Sequence, residues 1–531
     1  MNKITSLPLV ETGLLSNLIN DYLNQNQEVK DFYAHFPNIE EFKNQINKKK
    51  NFNQDKRDVL VSVLQSQNKI LNLSDKTKFN ILQLKKTNTF TVTTGHQLNL
   101  FTGPLYVIYK LLTTINLAEE LQNKFPENYF VPIFWMATED HDFAEINHFW
   151  VHHQKLEWNK KDGGAVGKLA TDGLNDVFQQ LKSLIINQPN AKYIFDLFEK
   201  SYLKHSNLAD ANKYLINELF GKFGLVILDG NDVQLKSQFK TFMADELLQN
   251  TCFKEVKKMN IEIAKKYKVQ VNPREINLFY LMNNERQRII FEDFQYKIHN
   301  TSKVFSSDEI ITELNNFPER FSPNVLMRPL YQEVILPNLC YVGGAGELAY
   351  WLQLKSYFDY QKVEFPILLH RNSALILTKK QQNQLKKLKL TFDDLWMPLP
   401  QLINKKVKEI SEITIDFEKE RKYLNSMFLN LETIASKTDK SFIGAVKAQQ
   451  QKQLNGLNKL EKRLLKAEKR KHQEYINQLT ALHSELFPNG ILQERIKNIS
   501  EYLISNENII DDLQKLLNPL SATIDIISMD L

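Results

Sequence analysis

Short apolar runs alternate with helically spaced apolar residues along much of this chain. Residues 90–94 form a β-branched apolar run, residues 105–125 carry apolar side chains at helical spacing after Pro104, and residues 130–137 form a second apolar run. This order predicts a strand, a helix and a strand. Later apolar runs near residues 225–228, 340–342 and 366–369 are separated by helical patterns. We therefore predict an α/β fold whose parallel sheet is buried on both faces.

Two segments interrupt this predicted core. After Gly163-Gly164, a mostly helical insertion runs to about residue 220, so its span is about 160–220. A second insertion spans about residues 234–322. Within it, two β-rich runs flank Asn283-Asn284-Glu285, which predicts a hairpin.

The last third of the chain has the pattern of long helices. Between residues 443 and 486, apolar residues recur in steps of three or four among Lys, Glu and Gln, except that Gln450 and Lys471 fill two of the positions. An earlier helical stretch over about residues 417–434 is joined to it by residues 436–441, which offer helix caps. We predict an antiparallel coiled-coil hairpin. Its apolar seam must be buried against another surface. A second copy of the chain is the expected partner, and packing on the chain's own core is the alternative.

The length of the chain, 531 residues, predicts more than one domain, because one hydrophobic core rarely organises so many residues. Four parts are expected: an N-terminal helical segment packed on the core (1–80), the interrupted core (81–400), the coiled-coil hairpin (401–486) and a segment returning to the core (487–531).

Composition excludes several classes of protein. With 42% hydrophobic and 24% charged residues, the chain has the composition of a soluble globular protein. The net charge of +6 is small and forms no nucleic-acid-binding motif, so we expect solvated lysine-rich helices and no nucleic-acid partner. Cys252 and Cys340 are too few for a disulfide framework or a cysteine-based zinc site. No signal peptide and no apolar run of about 20 residues occur, so we expect a cytoplasmic protein without a membrane partner.

Polar residues that could take part in catalysis or ligand binding follow the first predicted strand. Thr94, Gly95, His96 and Gln97 stand where that strand ends, before a helix whose N-terminus favours anions. His96 and Gln97 suit a phosphate or a developing oxyanion. Lys110, with Thr102 and Gly103, extends the same predicted site.

Four ionisable residues follow the second predicted strand: Glu139, Asp140, His141 and Asp142. Carboxylates beside an imidazole can shift each other's pKa and supply an acid or a base. A charged surface loop is the alternative. A zinc site is weighed because His148 and His152 have the spacing of a helical face, but the HExxH pattern is absent and no metal is predicted.

Glycines and arginines mark the later part of the core. Gly343, Gly344 and Gly346 precede Glu347 at a predicted strand-to-helix turn, which can present N–H groups to an anion or serve as a packing turn. Arginine binds carboxylates and phosphates with two parallel hydrogen bonds. Two arginines occur in this region. Arg328 is followed by Gln332 and Glu333, and Arg371 directly follows His370.

Four separated stretches resemble one known family. TTGHQLNLFTGPLYVIYK, FWMATEDHDFAEIN, RPLYQEVILPNLCYVGGAGELAYW and LFPNGILQER are similar, in order, to the bacillithiol-biosynthesis cysteine-adding enzymes, the BshC family. The resemblance runs from about residue 60 to the end of the chain. Ala345 departs from it, since proline is common at that turn.

The resemblance implies a Rossmann-like core related to class I nucleotidyltransferases, two connecting insertions, and a C-terminal coiled coil that forms a homodimer. It implies a ligase that adds cysteine to the amine of glucosaminyl malate in the last step of bacillithiol synthesis, with ATP or ADP bound. The implied catalytic residues are His96, Gln97, Glu139, Asp140 and His141. The implied substrate-binding residues are Thr94, Gly95, Thr102, Gly103, Tyr106, Lys110, Asp142, Arg328, Gln332, Glu333, Gly343, Gly344, Gly346, Glu347, His370 and Arg371. A separate nucleotide site near the coiled coil is matched to Asn489, Gly490 and Arg495.

Two other classes of protein fit the same residues. One is another adenylate-forming or metal-dependent enzyme on the same core, using the region of His141. The other is a non-enzymatic dimeric scaffold built on the coiled coil. The metal content of the purified protein and turnover with an amine acceptor distinguish these alternatives from the ligase.

Overall fold

The structure, a computed structural model, describes residues 2–160, 164–282 and 285–529, except for the side chain of Lys440. Its strands are β1 (Asn2–Pro8), β2 (Thr89–His96), β3 (Tyr129–Met136), β4 (His148–Val151), β5 (Gln154–Glu157), β6 (Val226–Asp229), β7 (Leu278–Met282), β8 (Glu285–Glu292), β9 (Gln295–Ile298), β10 (Val304–Phe305), β11 (Phe321–Pro323), β12 (Asn338–Gly343), β13 (Ile367–His370), β14 (Ser373–Thr378) and β15 (Thr523–Met529).

The α-helices of the described residues are α1 (Asn17–Leu23), α2 (Ile39–Lys49), α3 (Gln54–Gln67), α4 (Asp75–Gln83), α5 (Leu105–Lys124), α6 (Phe143–Ile146), α7 (Leu174–Ile185), α8 (Ala191–Phe198), α9 (Leu208–Phe220), α10 (Val233–Ser237), α11 (Lys240–Gln249), α12 (Thr251–Ala264), α13 (Ser307–Asn316), α14 (Arg328–Ile335), α15 (Ala345–Trp351), α16 (Lys355–Tyr360), α17 (Lys379–Lys387), α18 (Leu399–Ile410), α19 (Glu418–Ala435), α20 (Lys440–Lys471), α21 (Gln473–Leu486), α22 (Ser500–Leu503) and α23 (Ile509–Leu516).

A parallel sheet with the strand order β13-β12-β2-β3-β6 forms the centre of the fold. The first two predicted strands, β2 and β3, are neighbours and are connected by α5, as the apolar pattern predicts. β3 and β6 extend the sheet from one side of β2, whereas β12 and β13 extend it from the other. The strand order therefore reverses between β2 and β12, and the predicted Rossmann-like parallel sheet is confirmed.

Both faces of this sheet are buried. Phe90 and Val92 of β2 pack with Leu117 of α5 in one hydrophobic cluster, whereas Val131 and Ile133 of β3 belong to another. Successive side chains of a strand point to opposite faces, so a strand covered on both sides is apolar or has its polar groups hydrogen-bonded. β3 appears in the sequence as a continuous apolar run. β2 instead alternates Phe90 and Val92 with buried threonines, of which Thr91 and Thr93 donate to Asn338 Oδ1.

The two insertions differ in structure. The first contains α7, α8 and α9, as its helical spacing predicts, although Gly163 lies outside the described residues. The second contains an antiparallel sheet with the order β10-β9-β8-β7-β11. β7 and β8 form the predicted hairpin, and Asn283 and Asn284 of its turn lie outside the described residues.

The beginning of the chain is not entirely helical as expected, because residues 2–8 form β1. This strand pairs with β15, so that Asn2 lies opposite Ser528. Its partner is almost the whole chain away, and no local pattern in the sequence signals such a pairing. The helices α1 to α4 follow it.

The described chain divides into two compact units, residues 2–376 with 492–529 and residues 377–491. In the second unit, α19 and α20 lie antiparallel, with Arg421 Nη1 2.6 Å from Glu461 Oε2. The predicted continuous helix is divided at His472, whose φ of −101° and ψ of 26° separate α20 from α21. The helical spacing predicted the two arms but not this break.

Candidate active site

A cavity of about 840 Å³ lies at the carboxyl edge of the parallel sheet. It is lined by Gly95 and His96 at the end of β2, by residues 135–141 around the end of β3, and by Gly344 after β12. This is the edge where the strand order reverses, and open α/β sheets bind their ligands at this place. His96 and Asp140 line the same cavity, which confirms the geometry predicted for them.

His96 is a neutral side chain at pH 7. Its ring packs edge-on against Tyr106, with 5.4 Å between the ring centroids. Its Nε2 atom is buried and has no hydrogen-bond partner among the residues that the structure describes. Burial, together with the charge of Lys110, lowers the pKa of His96 to about 3. His96 can therefore offer a ligand a hydrogen bond but not a positive charge.

Lys110 joins β2 to the turn after β12. Its Nζ donates to the carbonyl of Gly95 at 2.5 Å and to Glu347 Oε2 at 2.7 Å. Glu347 also accepts from the Tyr341 hydroxyl at 2.8 Å and from the Gly344 N–H at 2.9 Å. Burial opposes the ionisation of Glu347, but the Lys110 ammonium and the Gly344 N–H outweigh it and lower the pKa of Glu347 to about 2. The Gly344 N–H is thus taken by the protein itself and is not free for an anion.

Two arginines of the cavity differ in whether they form an ion pair with a carboxylate of the protein. Arg371 Nη2 donates to Glu494 Oε1 at 2.7 Å, so its charge is neutralised within the protein. Arg328 has no carboxylate oxygen within 4 Å among the described residues, and its Nη1 donates to Gln332 Oε1 at 3.0 Å. A largely buried cation without a counterion is costly. Arg328 is therefore placed to bind a carboxylate or phosphate of a ligand.

Asp140 is held in its ionised form. It accepts hydrogen bonds from Gln97 Nε2 and from the His141 N–H, each at 2.7 Å. Burial would raise the pKa of Asp140, but the hydrogen bonds from His141 and Gln97 lower it well below its ordinary value. Gln97 also donates to Glu145 Oε2 at 2.8 Å, so one amide holds two carboxylates at the cavity.

The neighbours of Asp140 have other partners. Glu139 pairs with Lys236, whose side chain is fully buried. His141 is half exposed, and its Nδ1 lies 3.2 Å from Nη1 of Arg286 in β8. Three of the four residues of the predicted cluster, Glu139, Asp140 and His141, therefore line the cavity, whereas the exposed Asp142 does not.

Eight residues that the sequence assigned to the site do not line the cavity: Thr94, Thr102, Gly103, Asp142, Gln332, Glu333, Gly343 and His370. Thr94 donates instead to the carbonyl of Val342 at 2.7 Å, between the strands. Glu333 pairs with Lys49 at 3.1 Å in the interior. It follows Arg328 by five positions, which on a helix places it roughly 140° around the axis and not on the same face.

The loop between β2 and α5 turns away from the cavity. Phe101 and Thr102 have φ values of 48° and 67°, in the left-handed region. Buried Asn498 holds this conformation by donating Nδ2 to the carbonyls of Phe101 and Gly103 at 2.7 and 2.6 Å. The N–H of Leu105, at the start of α5, donates to the residue before Asn498. The anion site predicted at this helix terminus is thus occupied in part by the chain's own C-terminal segment.

Arg495 lines the cavity. The resemblance matched it with Asn489 and Gly490 in a separate nucleotide site. Those two residues belong to the second unit, whereas Arg495 belongs to the first. The structure therefore places Arg495 with His96 and Arg371, not apart from them.

No metal centre is apparent within residues 2–160, 164–282 and 285–529, where no group of three or more His, Cys, Asp or Glu side chains could hold an ion. His148 begins β4 and His152 lies in the turn after it, so they do not share a helical face as the zinc alternative supposed. Cys252 and Cys340 are buried and free. None of the described helices is long and apolar enough to cross a membrane.

Several residues of the cavity wall were not predicted: Glu145, Gln270, Asn272, Arg274, Arg286, Asn324 and Tyr350. Arg274 and Arg286 come from the second insertion, which folds back over the sheet edge. The sequence of β8 is polar at most positions and does not indicate which side chain reaches the site. Among these residues, only Glu145 could have been assigned to the site from the sequence, because it lies close to Asp140 in the chain.

Comparisons with known proteins agree on one family. The family models described as "Bacillithiol biosynthesis BshC, N-terminal Rossmann-like domain" and "Bacillithiol biosynthesis BshC, C-terminal coiled-coil domain" match residues 2–372 and 374–529. A protein of Flavobacterium psychrophilum named "Putative cysteine ligase BshC" is 52% identical over 97% of this chain and 98% of its own length. Proteins of the same name from Flavobacterium johnsoniae and Christiangramia forsetii are each 49% identical, over 98% of both chains.

Among solved structures, a chain from Campylobacter jejuni titled as a putative arginyl-tRNA synthetase aligns at 10% identity over 83% of this chain and 99% of its own. Its TM-score of 0.22 is too low to support a conclusion. The matches to both family models and to relatives over nearly their full length are sufficient to assign the family without this structure. The chain belongs to the BshC family of bacillithiol biosynthesis, with an N-terminal Rossmann-like domain and a C-terminal coiled-coil domain.

Proposed function

We propose that this protein is a cytoplasmic ligase that joins the carboxyl group of cysteine to the amine of glucosaminyl malate, the last step of bacillithiol biosynthesis. Membership of the BshC family supports the proposal. The observation that carries it is Arg328, a largely buried guanidinium without a carboxylate partner among the described residues, at a cavity that also holds ionised Asp140. Such a cavity suits a substrate with both an anionic group and an amine.

The reaction requires activation of cysteine, because the oxygen of a carboxylate is a poor leaving group. We propose ATP as the second substrate, which converts the carboxylate to an acyl phosphate with release of ADP, or to an adenylate with release of diphosphate. The amine nitrogen then attacks the carbonyl carbon. The C–N bond forms, the C–O bond to phosphate or AMP breaks, and the nitrogen loses a proton.

The side chains of the cavity can divide this work. Arg328 would bind the phosphate or the malyl carboxylates, since its fork of N–H groups matches such oxygens. His96 is neutral and would donate a hydrogen bond to the oxyanion that develops at the carbonyl carbon. The carboxylates of Asp140 and Glu139 are placed to take the proton of the attacking amine.

We also propose that the core is related to class I nucleotidyltransferases. The strand order and the position of His96 at the end of β2 support this relation, because nucleotides bind at that edge of doubly wound sheets. The site of ATP would then include the cavity around Arg328.

Mass spectrometry of the protein incubated with cysteine, glucosaminyl malate and ATP tests the proposal. We expect bacillithiol, together with ADP or with AMP, and the nucleotide product identifies the intermediate. Arg328→Met should lower kcat/KM by about 10²-fold or more, because charge stabilisation in a water-poor site is lost. Arg463→Met, an exposed arginine of α20, is the matched control and should change it little. Absence of bacillithiol with folded wild-type protein would overturn the assignment.

We further propose a homodimer formed through the hairpin of α19 and α20. Leu429 and Leu460 are 65% and 54% exposed on this hairpin, and Tyr423 and Phe442 are also exposed. Apolar side chains of this size are seldom exposed together on a monomer unless another surface covers them. A second hairpin of the same chain has the complementary apolar surface.

A further inference from the structure

Arg286 is fixed at the cavity by the inserted antiparallel sheet. Its Nε donates to Ser322 Oγ and its Nη2 to the carbonyl of Pro323, both at 3.1 Å. Its guanidinium also lies over the ring of Phe279, 4.0 Å from the centroid. These three contacts leave Nη1 pointing to one remaining partner. Arg286 is therefore a rigid part of the wall and not a mobile surface arginine.

The remaining partner is the imidazole of His141. Nη1 of Arg286 lies 3.2 Å from Nδ1 of His141, and the His141 ring packs against Phe279 with 5.7 Å between the centroids. A guanidinium has only donors and keeps its charge in proteins. Nδ1 must therefore accept this hydrogen bond, because a proton on Nδ1 would direct two N–H groups at each other.

We infer that Arg286 is a positioning residue that holds neutral His141 as the tautomer with its proton on Nε2. His141 lines the cavity, and its Nε2 makes no hydrogen bond to the described residues. The Nε2–H group is thus available to a ligand. In this state His141 donates a hydrogen bond and is not the base for the attacking amine.

Asp140 favours a proton on Nδ1 of His141, whereas Arg286 favours Nδ1 without a proton. Its Oδ1 lies 3.5 Å from Nδ1 of His141, and it already accepts the backbone N–H of His141 at 2.7 Å. Without Arg286, Asp140 would favour a proton on Nδ1, where it could accept a hydrogen bond. Among the described residues, the ionisable groups recorded in contact with the His141 ring are Asp140 of the same loop and Arg286 of β8. The charges of Asp140 and Glu139 both act on Arg286.

The role of the His141 tautomer in the reaction rests on the proposed function. Two neutral imidazoles, His96 and His141, would offer N–H groups to one cavity. One could stabilise the oxyanion while His141 donates to the phosphate or AMP that leaves. The proton of the amine would then go to a carboxylate, which keeps both imidazoles neutral throughout.

The tautomer can be measured without turnover. Solid-state NMR of protein labelled with ¹⁵N-histidine separates protonated from bare ring nitrogens, and His141→Asn identifies the signals of His141. At pH 7.5 we expect a bare Nδ1 and a protonated Nε2 in the wild type. Arg286→Gln should convert part of the population to the Nδ1–H form. Arg288→Gln, an exposed arginine of the same strand, should leave the spectrum unchanged.

A protonated Nδ1 in the wild-type protein overturns the inference, whether or not the Arg286 variant folds. An unchanged His141 spectrum in folded Arg286→Gln also overturns it. Neither result depends on bacillithiol formation. A failure of the proposed function would be recognised separately, because folded wild-type protein would then form no bacillithiol.

Kinetics then distinguish positioning from direct binding. Loss of one preorganised hydrogen-bond donor costs about 10²–10³-fold, and Arg286→Gln should misdirect only part of the His141 population. It should therefore lower kcat by about tenfold or more while KM changes little. If instead KM for one substrate rises and kcat is retained, Arg286 binds that substrate directly and the positioning role is wrong.

Discussion

Nζ of Lys110, in α5, lies 2.7 Å from Oε2 of Glu347, in the first turn of α15. The same Nζ donates to the carbonyl of Gly95 in β2, so the pair links the ends of β2 and β12, between which the strand order reverses. Only 2% of the Lys110 side chain and 27% of the Glu347 side chain are exposed. Burial lowers the pKa of Lys110, and Lys110 keeps Glu347 ionised. The walls of the cavity are therefore joined by a charge pair in which the lysine is buried and the carboxylate is partly exposed.

Removal of either partner should leave an uncompensated buried charge. Lys110→Met should lower the free energy of unfolding by about 3–5 kcal/mol, as expected for a buried pair with one partner deleted. The double variant Lys110→Met/Glu347→Gln should lose less than the sum of the single variants, because it leaves no lone charge. Urea unfolding of the four proteins measures this. Strictly additive losses would show that the two side chains do not interact.

His96→Ala should lower the rate of cysteine addition by about 10²-fold or more, since one preorganised donor to developing charge is lost. Stability should change little, because Nε2 of His96 has no partner within the described residues. Lys380→Gln, at the exposed start of α17, should keep the activity within about twofold. The rates are compared on protein shown to be folded by thermal melting. Wild-type rates in His96→Ala would remove this residue from the catalytic set.

His370 should make the protein sensitive to acid. Burial, with the charge of Arg371, lowers the pKa of His370 from 6.5 to about 4. The unfolded chain therefore binds a proton below pH 6.5 that the folded protein does not take until about pH 4. This stabilising contribution is present above pH 6.5 and is lost as the pH falls towards 4, by up to about 1.4 kcal/mol per pH unit.

Urea unfolding between pH 7.5 and 4.5 tests this contribution. His370→Gln should show a smaller loss of stability per pH unit than the wild type. His299→Gln, at an exposed position, should keep the wild-type dependence. Equal slopes in the wild type and His370→Gln would mean that other groups cause the acid sensitivity.

Leu460→Glu in the hairpin should convert a dimer to a monomer, because a buried leucine at an interface contributes roughly 2–5 kcal/mol. Leu460 is a better target than Leu464, which packs against Val407 and Ile476 within its own chain. Analytical ultracentrifugation gives the mass of both proteins. A dimeric Leu460→Glu variant would place the interface elsewhere, and a monomeric wild type would contradict the homodimer itself.

Those parts of the fold that rest on local patterns could be predicted from the sequence. β3 is a continuous apolar run because both faces of the sheet are covered, and β2 is a buried run of Phe, Val and Thr for the same reason. Ionisable residues begin where each run ends. Parallel neighbours end at the same edge, so the sequence predicts His96 and Asp140 at one cavity.

Features that depend on distant partners could not be predicted. Arg286 reaches the cavity only because the inserted sheet folds back over it, and half-polar β8 resembles an ordinary surface strand. Thr102 and Gly103 were assigned to the site because they follow His96 closely. Asn498 directs their loop elsewhere, from almost 400 residues away.

The ion pair of Arg371 and Glu494 has a consequence for synthesis. The two residues are separated by 123 positions, and residues 377–491 of the second unit are translated between them. At about 5–20 residues per second, Arg371 is synthesised roughly 6–25 s before Glu494. Asn498 and Arg495 arrive later still. A nascent chain that stalls within the hairpin therefore carries all five strands of the parallel sheet but an unfinished cavity, so catalysis begins only when the segment after the second unit has emerged.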